Sequence, residues 1–313
     1  MRARPQRWVQ YRERGSLRAM QLLLVVTRLL GRHVGRLVLV PICLYFLLFA
    51  RRAVRASRAY LARVHGRAPT LAEVYRHLYC FAAVLLDRVL LLAGHRPALN
   101  VTVSGSEPVA VMARERRACL LLGAHLGSFD VARFAGSENC GVTINMLMRD
   151  DATSNFSRLV ESTGARERLR IIPVGGTGVL LRAKECLDAG EWVGILGDRT
   201  VGGERVVTVP FLGQPAQFPV GPILAASVLC VPVVLFFSLY RGGNRYEAFF
   251  ELFAEQIVLE RRDRQAAAEV WVRRYVARLE HHCRRAPYNW FNFYDFWATA
   301  PQPEPGTKAR TTA

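Results

Sequence analysis

The chain of 313 residues carries 43 basic and 25 acidic side chains, a formal net charge of +18, and 51% of its residues are hydrophobic. This length suffices to bury a sizeable core, and the hydrophobic fraction is too low for a protein with many membrane spans. So large a positive charge predicts an anionic partner, which is nucleic acid, an anionic membrane surface or an acidic protein. Seven scattered cysteines without a Cys-x-x-Cys pair argue against disulfides and zinc, so we expect no metal.

The N-terminal segment is both basic and apolar. Residues 1–36 hold nine arginines, residues 37–50 hold no charge, and residues 51–67 hold six more arginines. Fourteen apolar residues in a helix cover about 21 Å, which is less than the ~30 Å of a hydrocarbon core, and a longer span would include arginines. Two interpretations remain: a tilted helix that spans the bilayer, or a helix broken at Pro41 that enters one leaflet between basic flanks. Both predict a membrane-associated helix, and the fifteen arginines beside the apolar run favour this over the remaining alternative, a buried core helix.

Residues 51–95 are predicted to be helical, with a capping box at Thr70 and Glu73, and from about residue 99 short apolar segments alternate with segments of helical periodicity. The strand candidates are 99–103, 118–122, 142–148, 170–174, 191–196, 205–210, 231–239 and 246–252. The helix candidates are 128–137, 152–164, 177–189, 218–229 and 265–284. This alternation predicts an α/β fold with a mixed, largely parallel sheet flanked by helices. We therefore divide the chain into a basic membrane-anchoring segment (1–67), an α/β domain (68–300) and a disordered tail (301–313).

A histidine and an aspartate follow the strand candidate at residues 118–122. Near neutral pH, histidine is the side chain best suited to transfer a proton, and a carboxylate can fix its tautomer. Open α/β sheets place their chemistry at the carboxyl ends of strands, which is the predicted position of His125. Five residues of a regular helix turn through ~140°, so we expect His125 to precede the next helix and its ring to fold back onto Asp130. Ser128 is then the predicted N-cap of that helix.

A second strand candidate, residues 191–196, also ends in polar residues. If both strands belong to one sheet, Asp198 and Arg199 lie near His125. They form either a surface ion pair or part of the site, in which Asp198 is a substrate-binding residue and the cation binds phosphate or stabilises developing negative charge. Arg149 follows another strand candidate and is a candidate for the same task.

Several other chemistries lack their sequence signatures. The chain has no Gly-x-Ser-x-Gly elbow, no P-loop and no His-Glu-x-x-His metal motif. We therefore do not expect a serine hydrolase, a P-loop nucleotide enzyme or a zinc protease.

The spacing of His125 and Asp130 looks like the His-x4-Asp motif of glycerolipid and lipid A acyltransferases. Its context is Leu-Leu-Gly-Ala-His-Leu-Gly-Ser-Phe-Asp, followed by Gly-Asp-Arg-Thr at 197–200 and by Val-Pro-Phe-Leu-Gly-Gln-Pro-Ala-Gln-Phe-Pro-Val-Gly-Pro at 209–222. This combination resembles the bacterial lipid A biosynthesis acyltransferase family, and the resemblance covers roughly residues 15–297. The aromatic run at 287–297 is similar instead to family members of aryl-polyene or polyketide-lipid pathways, which leaves the acceptor open.

The resemblance implies an O-acyltransferase of the bacterial inner membrane with its catalytic domain on the cytoplasmic side. Such an enzyme moves a fatty acyl chain from acyl carrier protein, or from coenzyme A, to a hydroxyl of a lipid or glycolipid, with no further cofactor. His125 would be the general base and Asp130 would orient it. The oxyanion would be stabilised by Arg199 or by backbone amides near Gly127 and Ser128.

The expected partners are acyl carrier protein, an anionic membrane surface and the lipid acceptor, with the protein itself a monomer. Nucleic acid is not expected, because basic and aromatic residues do not interleave outside the C-terminus. One alternative is a lysophospholipid or glycerol-phosphate acyltransferase, although Gly-Asp-Arg-Thr stands where that family has Phe-Pro-Glu-Gly-Thr-Arg. Another alternative is a basic membrane-binding protein without catalysis.

Overall fold

The alternating segments fold into an α/β domain built on a seven-stranded sheet. The computed structural model describes residues 17–95, 98–148, 158–159, 170–175, 178–200, 204–260 and 262–298. The strands are β1 (Asn100–Ser104), β2 (Leu120–Gly123), β3 (Ile144–Met148), β4 (Ile171–Pro173), β5 (Trp192–Leu196), β6 (Val206–Phe211), β7 (Gln214–Pro219), β8 (Val233–Tyr240) and β9 (Arg245–Ala254). The helices are α1 (Leu17–Phe49), α2 (Arg51–His65), α3 (Leu71–Leu92), α4 (Ser106–Arg114), α5 (Phe129–Cys140), α6 (Val179–Asp188), α7 (Gly221–Leu229) and α8 (Arg264–Arg285).

The large sheet has the strand order β1-β9-β8-β2-β5-β3-β4. Every pairing in it is parallel except the β8–β9 hairpin, so the predicted mixed, largely parallel sheet is confirmed. Strands β2 and β8 are buried along their whole length, which explains their continuous apolar sequences. The pair β2–β5 matters most here, because Gly123 lies opposite Leu196 and the two chains leave the sheet side by side.

Two elements were not predicted. Strand β7 forms a separate antiparallel hairpin with β6. Its prolines and glutamines interrupt the apolar pattern from which strands were predicted. Helix α4 occupies a connection that the sequence pattern left unassigned, and it buries only Val109 and Met112. The helix predicted at 152–164 falls almost wholly outside the described residues, as does the predicted tail at 301–313.

Among the described helices, α1 alone is long and apolar enough to cross a membrane by length and composition. Its backbone leaves the helical conformation at Gly31, where φ is 86° and ψ is 164°, so the predicted break at Pro41 is wrong and Pro41 lies inside the helix. The helix packs against α3, where Arg32 and Arg36 both bind the buried carboxylate of Asp87 at 2.7 Å. Helix α2 contributes Tyr60 and other residues to the main core, so part of the basic N-terminal segment is integral to the domain.

The C-terminal aromatic run crosses the carboxyl ends of the central strands. Trp290 is fully buried in the main core, and the chain around it bonds to the loop that follows β2. Gly127 N donates to Asn289 O, and Phe291 N donates to His125 O, both at 2.8 Å. This run thus closes over the strand ends at which the candidate site lies.

Candidate active site

His125 lies in the short loop between β2 and α5, ahead of the helix as expected. Gly127 turns the chain there with a φ of 70°, and a Cβ at this position would come within 1.7 Å of the Ser238 carbonyl oxygen. Ser128 caps α5, because its side chain accepts a bond from Val131 N at 3.3 Å, which confirms the predicted N-cap. The loop is therefore fixed by backbone contacts, and the His125 side chain remains 29% exposed.

The partner of the His125 ring is Asp198. Nδ1 of His125 lies 2.7 Å from Oδ1 of Asp198, and the His125 backbone N–H donates to the same oxygen at 3.1 Å. The register of β2 and β5 explains this contact, since each residue stands two positions beyond the Gly123–Leu196 pair. The predicted fold-back of His125 onto Asp130 is therefore wrong, and Asp198, expected as a substrate-binding residue, orients the ring instead.

The Asp198 carboxylate is completely buried and receives further hydrogen bonds from the C-terminal segment. Trp290 Nε1 and Asn292 Nδ2 each donate to Oδ2 at 2.9 Å. Burial by itself raises the pKa of Asp198, but the interactions with His125 and with Arg199 lower that pKa well below its ordinary value. The carboxylate is thus held ionised in the protein interior.

This carboxylate sets the tautomer of His125. An ionised carboxylate only accepts hydrogen bonds, so Nδ1 carries the proton and Nε2 presents a lone pair. Burial and the positive charge of Arg199 lower the pKa of His125 below 6.5, and the opposing effect of Asp198 is smaller. The imidazole is therefore neutral at neutral pH and able to accept a proton at Nε2.

Asp130 is buried in the first turn of α5 and has different partners. Arg88 of α3 pairs with it at 2.6 Å, and Arg133 lies at 3.6 Å. The pKa of His125 is also lowered by Arg88, so this charged cluster lies close enough to influence the base. The Asp130 carboxylate therefore pairs with the charges of Arg88 and Arg133 and not with the His125 ring.

The candidates for oxyanion stabilisation differ in how they are bonded. The amides of Gly127 and Ser128 are bound to the carbonyl oxygens of Asn289 and Ser238, both at 2.8 Å, so the oxyanion site expected there is not formed. Arg199 lies beside His125, with Nε bonded to Asn292 Oδ1 at 2.7 Å and a terminal nitrogen bonded to Phe291 O at 2.8 Å. Arg149 lies outside the described residues.

Three residues of this constellation were missed from the sequence, namely Trp290, Asn292 and Arg88. The first two stand more than ninety positions from Asp198, in the aromatic run at 287–297, whose composition indicates apolar packing and gives no sign of hydrogen bonds to a carboxylate. Arg88 lies in the apolar C-terminal part of α3, where Asp87 and Arg88 are the only charged residues after Arg76, and this adjacent pair was the available signal.

The sequence model described as bacterial lipid A biosynthesis acyltransferase matches residues 22–299. The chain belongs to this family. The match confirms the family suggested by the His-x4-Asp context, and it makes the protein an acyltransferase of the lipid A biosynthesis type. The alternative of a membrane-binding protein without catalysis is therefore wrong. A comparison with curated proteins found no match.

Proposed function

We propose that this acyltransferase moves a fatty acyl chain from an acyl carrier protein thioester to a hydroxyl of a lipid A-like or other glycolipid acceptor. The supporting observation is the bond of 2.7 Å between His125 Nδ1 and the buried, ionised Asp198. A histidine held in this way has its free nitrogen ready to deprotonate a hydroxyl. General-base catalysis of this kind contributes on the order of 10²–10⁴ in rate.

In the proposed reaction, Nε2 of His125 takes the proton of the acceptor hydroxyl while the oxygen attacks the thioester carbonyl. The tetrahedral intermediate then collapses to an ester and expels the thiolate, which receives the same proton from the imidazolium. Asp198 stabilises that imidazolium without becoming protonated. No covalent acyl-enzyme is needed, in agreement with the lack of a nucleophilic serine elbow in the sequence.

Arg199 is the proposed stabiliser of the oxyanion. Its guanidinium is anchored to Asn292 and Phe291, and its charge acts on His125. A fixed cation beside the base attracts the negative charge that develops on the carbonyl oxygen, and loss of such a group costs about 10²–10³ in kcat. The same cation keeps the resting imidazole neutral.

The net charge of +18 supports two anionic partners, the acyl carrier protein as donor and an anionic membrane surface that supplies the acceptor. Family membership and the apolar helix α1 support a location at the bacterial inner membrane. We place the catalytic domain on the cytoplasmic side, where acyl carrier protein is found.

The test uses the purified full chain in detergent micelles with radiolabelled acyl chains on acyl carrier protein or on coenzyme A. Lipid A precursors, other glycolipids and lysophosphatidic acid serve as acceptors. We expect transfer from acyl carrier protein to a glycolipid and its loss in His125→Gln. His281→Gln, which changes an exposed histidine of α8, is the matched control and should remain active. Transfer that survives in His125→Gln, or that uses lysophosphatidic acid alone, would overturn the proposal.

A further inference from the structure

The break in α1 divides its apolar sequence into two short helical segments. Thr27 and Gly35 flank the break and lie in contact, since a Cβ on Gly35 would come within 2.2 Å of the Thr27 hydroxyl oxygen. In an unbroken helix, eight residues separate two positions by about 12 Å along the axis. Segments 17–30 and 32–49 are therefore sharply bent, with lengths of about 21 Å and 27 Å. Neither segment reaches the ~30 Å of a hydrocarbon core.

One side of both segments is covered by the α/β domain. Leu24 in the first segment and Leu39 in the second are buried against α3 and its neighbours. Arg36 is only 8% exposed and, together with Arg32, binds the fully buried Asp87. Two cations on the inner side tie α1 to the domain, whereas a helix leaving the domain to cross a bilayer would carry them into hydrocarbon.

The opposite side of the second segment is exposed and almost entirely apolar. Leu37 is 68% exposed and Leu48 is 62% exposed. The remaining exposed side chains of this segment are His33, Val40, Pro41, Leu44, Tyr45 and Phe49. An exposed apolar stripe of this extent is typical of a surface that contacts a membrane or another protein.

The charges next to this stripe identify which partner it fits. Helix α2 starts two residues after Phe49 and exposes four arginines, Arg51, Arg52, Arg55 and Arg58. No acidic residue occurs between Gly15 and Ala72. An apolar face that adjoins a purely cationic one complements the acyl chains and anionic headgroups of a lipid leaflet.

We propose that α1 lies in the plane of an anionic membrane, with the exposed face of residues 32–49 in one leaflet and the α2 arginines on its headgroups. The helix does not cross the bilayer, so both ends of the chain lie on the same side. The proposal deepens the function above and rests on it, because a membrane acceptor requires the site to face lipid. Helix α3 joins the two regions, since Asp87 holds α1 while the adjacent Arg88 holds Asp130 of the site.

The first test is the topology of the chain in spheroplasts, with one affinity tag before residue 1 and another after residue 313. An impermeant protease should leave both tags intact in sealed spheroplasts and digest both after lysis. Digestion of the N-terminal tag alone in sealed spheroplasts would show a spanning helix and overturn the proposal.

The second test is binding to vesicles that contain anionic or only zwitterionic phospholipid. The wild type should bind the anionic vesicles more tightly, and L37E/L48E should bind them at least about tenfold more weakly because two leucines no longer enter the leaflet. Leu181→Glu is the matched control, since this leucine of α6 is 64% exposed and lies outside α1. Its binding should equal that of the wild type.

The outcomes separate this proposal from the proposed function, because neither test involves acyl transfer. Equal vesicle binding by the wild type and L37E/L48E would overturn the docking face. A second outcome would also overturn it: the wild type forms a dimer without detergent, and L37E/L48E is monomeric but binds vesicles as well as the wild type. The face would then be covered by a second copy of the chain. Acyl transfer by both variants in micelles, with weaker vesicle binding by L37E/L48E alone, is the expected result.

Discussion

Asp198 is the residue on which the geometry of the base depends. Its two oxygens accept four hydrogen bonds, two from His125 and one each from Trp290 and Asn292. In Asp198→Asn an amide nitrogen replaces one of the two accepting oxygens, although every group around it is a hydrogen-bond donor. The Nδ1 proton of His125 then loses its acceptor, and the imidazole no longer has a fixed tautomer. We expect kcat to fall by about 10³–10⁴, as when a triad aspartate is replaced, with the fold preserved by circular dichroism.

Asp130→Asn is the comparison that separates the two aspartates. It removes the charge between Arg88 and Arg133 but leaves the bond between His125 and Asp198 intact. We expect a smaller loss of kcat than in Asp198→Asn. An equal or larger loss in a folded Asp130→Asn protein would show that Asp130 supports the base at least as much as Asp198 does.

The charge of Arg199 predicts a shift in the pH profile. The pKa of His125 lies below 6.5 because of burial and Arg199, so the acid limb of kcat/KM should fall below pH 6.5. Arg199→Gln removes the cation that disfavours the imidazolium, so the His125 pKa rises and the acid limb moves to higher pH. The profile is measured on the transfer reaction with the acyl donor well below its KM, so that kcat/KM reports the free enzyme. An acid limb that stays in place or moves to lower pH would contradict the assignment.

The sequence predicted His125 correctly as a strand-end histidine, but it paired the ring with the nearer aspartate. Spacing along the chain favoured Asp130, because only five positions separate the two residues. The real partner depends on β2 and β5 being neighbours in register, which a single sequence does not reveal. Asp198 was singled out for the same strand-end reason, and only its role changed.

At the scale of elements, the C-terminal aromatic run at 287–297 packs over the carboxyl ends of the central strands and holds the side chains of the site in place. Asn292 bridges the two charged side chains Asp198 and Arg199: its amide nitrogen donates to Asp198, and its amide oxygen accepts from Arg199. Asn292→Ala should therefore lower kcat by roughly tenfold or more, because hydrogen bonds to charged groups contribute about 1.5–3 kcal/mol. KM for the acyl donor should change little.

The matched control is Asn244→Ala, which removes an exposed asparagine that donates to Ala98 O at the β8–β9 turn. It should leave kcat unchanged. A supporting role for Asn292 also predicts a disturbed pH profile, because Arg199 loses an anchor beside His125. A decrease of thermal stability with unchanged kcat and pH profile would instead indicate that Asn292 only packs.

Element prediction from the sequence worked best for buried strands with continuous apolar runs, such as β8. It failed for β7, whose Pro215 and Pro219 suit an edge hairpin but interrupt any apolar pattern. The hydrophobic pattern also could not predict that the aromatic run at 287–297 contributes to the site. Its indole and amide groups act on a carboxylate that tertiary folding alone brings near.

At the scale of the whole molecule, the attachment of α1 to the domain depends on one buried charge. Asp87 is fully buried and accepts from Arg32, Arg36 and Tyr246, at 2.6–2.7 Å. Asp87→Asn leaves Arg36 buried without its counter-charge, and breaking a buried pair in this way costs about 3–5 kcal/mol of unfolding free energy. We expect a correspondingly lower urea midpoint for the full chain in detergent micelles, with α1 becoming sensitive to protease before the α/β domain.

Asp188→Asn provides the control for this charge change, because the Asp188 side chain is 61% exposed and pairs with Lys184 on the surface of α6. An exposed pair contributes at most about 1 kcal/mol, so its urea midpoint should barely move. Similar midpoints for the Asp87→Asn and Asp188→Asn proteins would mean that the buried charges do not hold α1 in place. The attachment of the membrane-facing helix would then depend on its apolar contacts with α3 alone.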